Sequence, residues 1–91
     1  MGKRTQVRNE RKNEQERREV LAMMLAKLRE KVLLKLDLGV DIEKEVYILS
    51  ELKKGSALAR QRRRVASALR LLDLDEIEPR IVAASEHQKG R

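Results

Sequence analysis

Hydrophobic residues recur at intervals of three and four along most of this chain, which is the spacing of one face of an α-helix. The first such stripe lies between Glu19 and about Lys35 and predicts one continuous helix. Its members are Leu21, Met24, Leu25, Leu28 and Val32. Lysine, arginine and glutamate fill the positions between them, so one side of this helix packs and the other faces water.

Three further stripes follow, and each predicts a helix. The second helix ends near Lys53, the third begins at Ser56 and the fourth ends near Ala84. The apolar members of these stripes are Ile42, Val46, Leu49 and Leu52; Leu58, Val65, Leu69 and Leu72; and Ile77, Ile81 and Val82. No run shows the alternation of β-branched and aromatic residues that is typical of a strand. The pattern therefore predicts an all-α fold, a small helical bundle of three main helices plus a short C-terminal fourth.

Turn and capping residues separate the stripes. Gly39 suits a positive φ before the second helix, and Asp41 and Ser56 are candidate N-caps of the second and third helices. Residues 75–78, Asp-Glu-Ile-Glu, have the form of a capping box at the start of the fourth helix. Pro79 would then lie inside the first turn, where proline is tolerated.

The ends of the chain are polar. Residues 1–18 form a basic arm that we expect to be partly disordered or to extend the first helix. The bundle is predicted to span residues 19–85, and residues 86–91 to form a polar tail. Tyr47 is the only aromatic residue, and we predict a semi-buried packing role for it, because a single tyrosine cannot form a base-stacking platform.

Positive charge is concentrated in one stretch. The 91-residue chain carries a formal net charge of +7, and residues 53–70 contain seven basic residues and no acidic one. On a helix that begins at Ser56, four arginines share the face opposite the apolar stripe: Arg60, Arg63, Arg64 and Arg70. Guanidinium groups bind phosphate through paired donors and stack on exposed bases. We therefore predict an RNA-binding surface made of Lys53, Lys54, Arg60, Gln61, Arg62, Arg63, Arg64 and Arg70.

Other binding functions remain open at this point. RNA is favoured over DNA because the sequence shows no helix-turn-helix docking geometry and no set of base-reading side chains. A helix that binds an anionic membrane surface would also place cations opposite an apolar face, although here that face lacks Trp and Phe. A helical protein–protein interaction module is the third possibility, although the first helix provides only about two good heptads.

The composition argues against catalysis. The chain has no cysteine and a single histidine, His87, so it can assemble neither a Ser/His/Asp nor a Cys/His set. Its four glycines are isolated and form no phosphate-binding loop. We predict a non-enzymatic protein without cofactor, metal or small-molecule substrate. The longest wholly apolar run, residues 20–26, is too short to span a bilayer, and the lack of cysteine fits a cytoplasmic location.

Several short motifs, in their order along the chain, resemble the ribosome-associated YjgA/DarP family. They are the leucine-rich first helix with Leu21, Leu25 and Leu28, the turn Leu36-Asp37-Leu38 followed by Asp41-Ile42, the run from Ala59-Arg60-Gln61 to Leu69-Arg70, and Glu78-Pro79. The resemblance covers roughly residues 10 to 84. This chain differs at Asp37, where the family has a turn proline, and at Ala66 and Ser67, where an Ile-Gly-Lys-like run is usual.

The resemblance implies a helical protein that associates with precursors of the large ribosomal subunit and assists late maturation of its RNA core. Arg60, Gln61 and Arg70 are the positions that match the family's basic helix. Family members commonly carry a second helical bundle, so the resemblance implies that this chain corresponds to the first bundle only. The implied partner is ribosomal RNA of the large-subunit precursor.

Overall fold

The protein is described here by a computed structural model, which covers the backbone of residues 2–89 and the side chains of residues 14–88. That range contains no strand and five α-helices: α1 Gly2–Ala26, α2 Glu30–Lys35, α3 Val40–Glu51, α4 Ser56–Leu69 and α5 Leu74–Lys89. The predicted all-α helical bundle is therefore confirmed. The side chains of the predicted arm at residues 1–13, and residues 90–91 of the predicted tail, lie outside the described residues. The division into arm, bundle and tail stays a prediction.

Most of the core is built from the predicted apolar stripes, and four buried leucines that no stripe contained complete it: Leu33, Leu36, Leu38 and Leu74. The largest fully buried side chains are Leu21, Leu25, Val46, Leu49, Val65, Leu69 and Ile81. All seven belong to the stripes, and removing each from water contributes about 1.5–3 kcal/mol to stability. α4 packs against α1 and α3, and α5 packs against α1. One side of α4 is therefore buried, and its opposite side is left in water.

The first helix is not continuous, contrary to the sequence prediction. α1 ends at Ala26, and α2 begins at Glu30 after a turn in which Arg29 has extended backbone angles (φ −66°, ψ 151°). The side chain of Gln88 holds this turn: its Oε1 accepts the N–H of Arg29 at 2.8 Å, and its Nε2 donates to the carbonyl of Lys27 at 2.9 Å. A residue near the far end of the chain thus contacts the backbone of the break at two points.

The last helix is longer than the sequence predicted. It was expected to end near Ala84, whereas α5 continues to Lys89 and carries Gln88 to the turn between α1 and α2. A second contact joins α5 to the end of α2, because Arg80 donates to the carbonyl of Leu36 at 2.5 Å. α5 therefore contacts the end of α2 and the turn before it, although its polar C-terminal sequence does not indicate such contacts.

Glycines, rather than polar side chains, precede α3 and α4. Gly39 has φ +114° and Gly55 has φ +96°, and neither helix has a side-chain cap hydrogen bond. The positive φ predicted for Gly39 is confirmed. The N-caps predicted at Asp41 and Ser56 are wrong, since both residues lie inside the first turn of their helices. The glycine turns start these helices one or two residues earlier than the capping pattern indicated.

α5 also begins earlier than its predicted capping box. The cap is made by Asp73, whose Oδ1 accepts the N–H of Asp75 at 3.0 Å. α5 therefore starts at Leu74, and Pro79 lies in the second turn rather than the first. Proline has no N–H for the carbonyl of Asp75, but Asp75 is exposed, so water can satisfy that carbonyl.

Ion pairs place α4 and α5 on opposite flanks of α1. Glu19 pairs with Arg62 of α4, and Arg17 pairs with Glu78 of α5. Residues two apart on a helix point in nearly opposite directions, so the two partner helices must lie on different sides of α1. The hydrogen bond to Glu78 raises the pKa of Arg17 above its usual value.

Candidate nucleic-acid interface

Three arginines define the outer face of α4. Arg60, Arg63 and Arg70 are exposed, and no carboxylate among the side chains of residues 14–88 forms an ion pair with them. At 100° per residue they lie within one quadrant of the helix, with the exposed Ser67 between them. Arg60 and Arg70 are ten residues apart, or about 15 Å along the helix axis. The result is a stripe of unneutralised guanidinium groups.

Two lysines continue this positive surface before α4 begins. Lys53 and Lys54 are exposed in the loop that joins α3 to α4. At the other end, Arg70 is the C-cap of α4, where a cation is favoured by the helix dipole. We call the five cations Lys53, Lys54, Arg60, Arg63 and Arg70 the α4 basic face.

Gln61 and Arg64 contact α3. Gln61 Nε2 donates to Glu45 twice, to the carboxylate at 2.7 Å and to the backbone carbonyl at 2.9 Å. Arg64 Nε lies 3.1 Å from the same carboxylate, although 69% of the Arg64 side chain remains exposed. Glu45, which is adjacent to the buried Val46, thus holds α4 against α3 from a half-buried position.

Arg62 contacts α1 instead. Its Nε donates to Glu19 Oε1 at 3.2 Å, and the two side chains are 35% and 25% exposed. The other oxygen of Glu19 accepts a hydrogen bond from Gln15 at 3.2 Å. Arg62 therefore lies at the edge of the core, with its charge balanced by a carboxylate.

The structure thus divides the eight predicted RNA-binding residues into two groups. Five form the α4 basic face, whereas Gln61, Arg62 and Arg64 join α4 to its neighbouring helices. Most of this division could not be read from the sequence, because the two acidic partners come from other helices. The sequence contains a weak signal for Glu45 alone. Glu45 directly precedes a residue of the second apolar stripe, so a position beside a helix contact could be expected for it.

An exposed aromatic residue was also missed. Tyr47 was predicted to be semi-buried, but it is 63% exposed, so that prediction is wrong. Tyr47 lies on α3, on the side of that helix away from the contact between Glu45 and α4. Leu34 and Val40, which are also exposed, line a cavity beside it. This second surface is separate from the α4 basic face.

Two structural features are absent from the described residues. Among them, no group of three or more His, Cys, Asp or Glu side chains is arranged to hold a metal ion. None of the helices in the described part of the chain combines the length and the apolar character that a membrane crossing requires.

Comparisons with known proteins point to one family. Searches of curated proteins and of solved structures found no match. A family model described as "Dual-action ribosomal maturation protein DarP" matches residues 4–91, which is nearly the whole chain. This match confirms the resemblance found in the sequence motifs. The chain therefore belongs to the DarP family of ribosomal maturation proteins.

Proposed function

We propose that this protein binds ribosomal RNA of the large-subunit precursor through the α4 basic face and acts without catalysis. The observation that carries the proposal is the stripe formed by Arg60, Arg63 and Arg70, whose charges no described carboxylate neutralises. Membership of a ribosomal maturation family supplies the context. Ribosomal RNA is the polyanion that a protein of such a family meets.

Phosphate recognition explains why arginine lies on this face. A guanidinium group is always charged and presents paired donors that match phosphate oxygens. Each cation that neutralises a phosphate releases condensed counterions, so affinity depends steeply on salt. Contacts of this kind position a protein on RNA without reading its sequence. Selectivity would come from the shape of the RNA and from other surfaces of the protein.

The remaining predicted residues have a supporting role in this proposal. Gln61 and Arg64 hold α4 to α3 through Glu45, and Arg62 holds α4 to α1 through Glu19. In a fixed helix the backbone that carries the outer arginines needs no further ordering on binding. Arg64 is exposed enough to contact phosphate as well, whereas the Nε groups of Arg62 and Arg64 are already occupied within the fold.

The membrane alternative is disfavoured by the packing of α4. A helix that binds a membrane surface inserts its apolar side into the bilayer. In this fold the apolar side of α4 contains Val65 and Leu69, both with 0% exposure. The bundle would have to open before that side could reach lipid.

The test is the RNA affinity of the full chain as a function of salt concentration, with ribosomal RNA of the large subunit as the ligand. If five cations contact phosphates, the log-log slope is roughly −3.5 to −4.5. Changing Arg60, Arg63 and Arg70 together to Gln should make the slope shallower by about 2 to 3. Thermal unfolding should be almost unaffected, because these side chains are exposed.

A charge-matched control removes three cations elsewhere: Lys27, Lys31 and Lys35, all exposed, changed to Gln. This variant should keep most of the slope. Equal losses in the two triple variants would show that only net charge matters, and the proposal would fail. Binding to anionic vesicles but not to RNA would replace it with the membrane function.

A further inference from the structure

Exposed hydrophobic side chains cluster on α2 and α3. Leu34 of α2 is 52% exposed, and Val40, Tyr47 and Ile48 of α3 are 66%, 63% and 47% exposed. The three α3 residues share one face of that helix, at positions i, i+7 and i+8. We call these four residues the α2–α3 patch. Most of the large exposed hydrophobic residues in the described chain belong to it, whereas Val20 and Leu71 lie elsewhere.

The patch is concave on both sides of Tyr47. One cavity of about 230 Å³ lies between Tyr47, Leu34 and Val40. A second, of about 130 Å³, reaches from Tyr47 toward Leu33 and Val46. Each is several times the roughly 30 Å³ that one water molecule occupies. An exposed tyrosine between two apolar depressions is typical of an interface anchor, because Tyr contributes a large contact area with little loss of rotamer freedom.

The charges around the patch differ in sign from those of α4. Glu30 and Glu43 line the larger cavity, and Glu51 lies on the same face of α3, one turn after Tyr47. These carboxylates form no ion pair with any side chain in the described part of the chain. Lys44 is the one cation that lines the same cavity, whereas Lys31 and Lys35 of α2 line a different cavity beside Gln88. Glu30, Glu43 and Glu51 against Lys44 give this surface a net −2, next to the +7 of residues 53–70.

From this complementarity we propose that the α2–α3 patch docks a basic protein segment on the maturing ribosomal particle. The segment would place an aliphatic or aromatic side chain against Tyr47 and its cations against Glu43 and Glu51. An acidic rim repels phosphate, which disfavours RNA as the occupant. The protein would then bind its particle through two faces of opposite charge, with α4 on RNA and α3 on protein.

The inference uses the ribosomal association of the family but not the RNA-binding role proposed for α4. The two proposals are distinguished by measuring the affinity of the chain for two ligands. One is the large-subunit precursor particle, and the other is the protein-free RNA extracted from the same particles. Loss of α4 function weakens binding to both ligands. Loss of the patch weakens binding only to the particles.

Truncation of the aromatic anchor is the first variant. Tyr47→Ala should weaken binding to particles roughly 30-fold, which is the effect of losing an interface hot spot, and leave binding to free RNA unchanged. Tyr47→Phe, which keeps the ring, should bind almost as well as the original chain. Val20→Ala is the matched control, since Val20 is 59% exposed but lies on α1. Equal affinity of Tyr47→Ala and the original chain for particles would overturn the proposal.

Charge reversal distinguishes the possible occupants. Glu43→Lys with Glu51→Lys should weaken particle binding relative to free RNA if the occupant is basic protein. If the patch contacts RNA, the same change strengthens particle binding, and the proposal is wrong.

A photo-crosslinking residue, benzoylphenylalanine, at position 47 identifies the occupant directly. A crosslink to a basic protein segment of the particle supports the proposal. A crosslink to RNA, a crosslink to a second copy of this chain, or no crosslink would overturn it.

Discussion

A substitution at Gln61 tests whether its side chain joins α4 to α3 or contacts RNA. The basic run and the family motif both place Gln61 in the RNA-binding set. In the fold, its side-chain amide donates to the carboxylate and the backbone carbonyl of Glu45, at 2.7 and 2.9 Å. We therefore predict that Gln61→Ala lowers stability and leaves RNA binding intact.

The magnitude follows from these two hydrogen bonds. A bond to a charged acceptor contributes about 1.5–3 kcal/mol and a neutral one about 0.5–1.5 kcal/mol. Gln61 is half-buried, and Glu45 keeps its contact with Arg64, so the lower part of the summed range applies. We expect Gln61→Ala to reduce the free energy of unfolding by about 2 kcal/mol. In a domain of this size the melting temperature would fall by about 8–16 °C.

The assay combines unfolding with RNA binding. Urea and thermal denaturation give the stability loss, and RNA affinity is measured well below the melting temperature of the variant. Arg63→Ala, at an exposed position two residues later on the same helix, is the matched control. It should change the free energy of unfolding by less than about 0.5 kcal/mol and make the salt slope of RNA binding shallower by about 0.7–0.9. A double-mutant cycle of Gln61→Ala with Glu45→Ala should show a coupling of about 1–2 kcal/mol.

The opposite pattern would refute this reasoning. If Gln61→Ala kept its melting temperature and lost RNA affinity, the amide would act at the interface rather than between helices. A cycle without coupling would show that the contact with Glu45 has no energetic weight in solution.

Three other outcomes are expected from the fold. Asp37 has φ +53° and donates its N–H to the carbonyl of Leu34 at 3.1 Å, so Asp37→Pro should lower the free energy of unfolding in urea by about 3 kcal/mol or more. Asp37→Gly should stay within about 1 kcal/mol of the original chain, and a stable proline variant would contradict the left-handed turn. Gln88→Ala should lower the free energy of opening the turn between α1 and α2 by about 1 kcal/mol, measured as roughly fivefold faster hydrogen exchange at the Arg29 amide. Unchanged exchange would show that the two hydrogen bonds of Gln88 do not stabilise the turn. Leu69→Ala, at a site with 0% exposure, should cost about 2–5 kcal/mol, and a smaller loss would mean that the α4 contact with α1 and α3 is loosely packed.

The fold class and the core were predictable because they depend on local periodicity. A residue's place in a 3.6-residue repeat determines whether it lies on the buried side of a helix, whatever the rest of the chain does. Leu49 and Leu69 illustrate this, since both were assigned to apolar stripes and both are fully buried. Helix starts were less predictable, because glycine turns at Gly39 and Gly55 replaced the polar caps.

The interruption after α1 could not be predicted in the same way. Residues 27–29, Lys-Leu-Arg, contain neither proline nor glycine and continue a good helical pattern. The turn there is held by Gln88, which is 59 residues away from Arg29 in sequence. A local pattern carries no information about a partner at that distance.

By itself, the sequence determined that this protein is a helical bundle, which apolar stripes supply most of its core, where its positive charge lies and to which family it belongs. The tertiary structure decided which of those charges remain available. Arg62 is matched by Glu19 and Arg64 by Glu45, from helices that meet α4 only in the folded chain, whereas Arg60, Arg63 and Arg70 meet no such partner among the described residues. It also decided that Tyr47 faces solvent, because exposure depends on which helices cover a surface, and neither α1 nor α4 covers that side of α3.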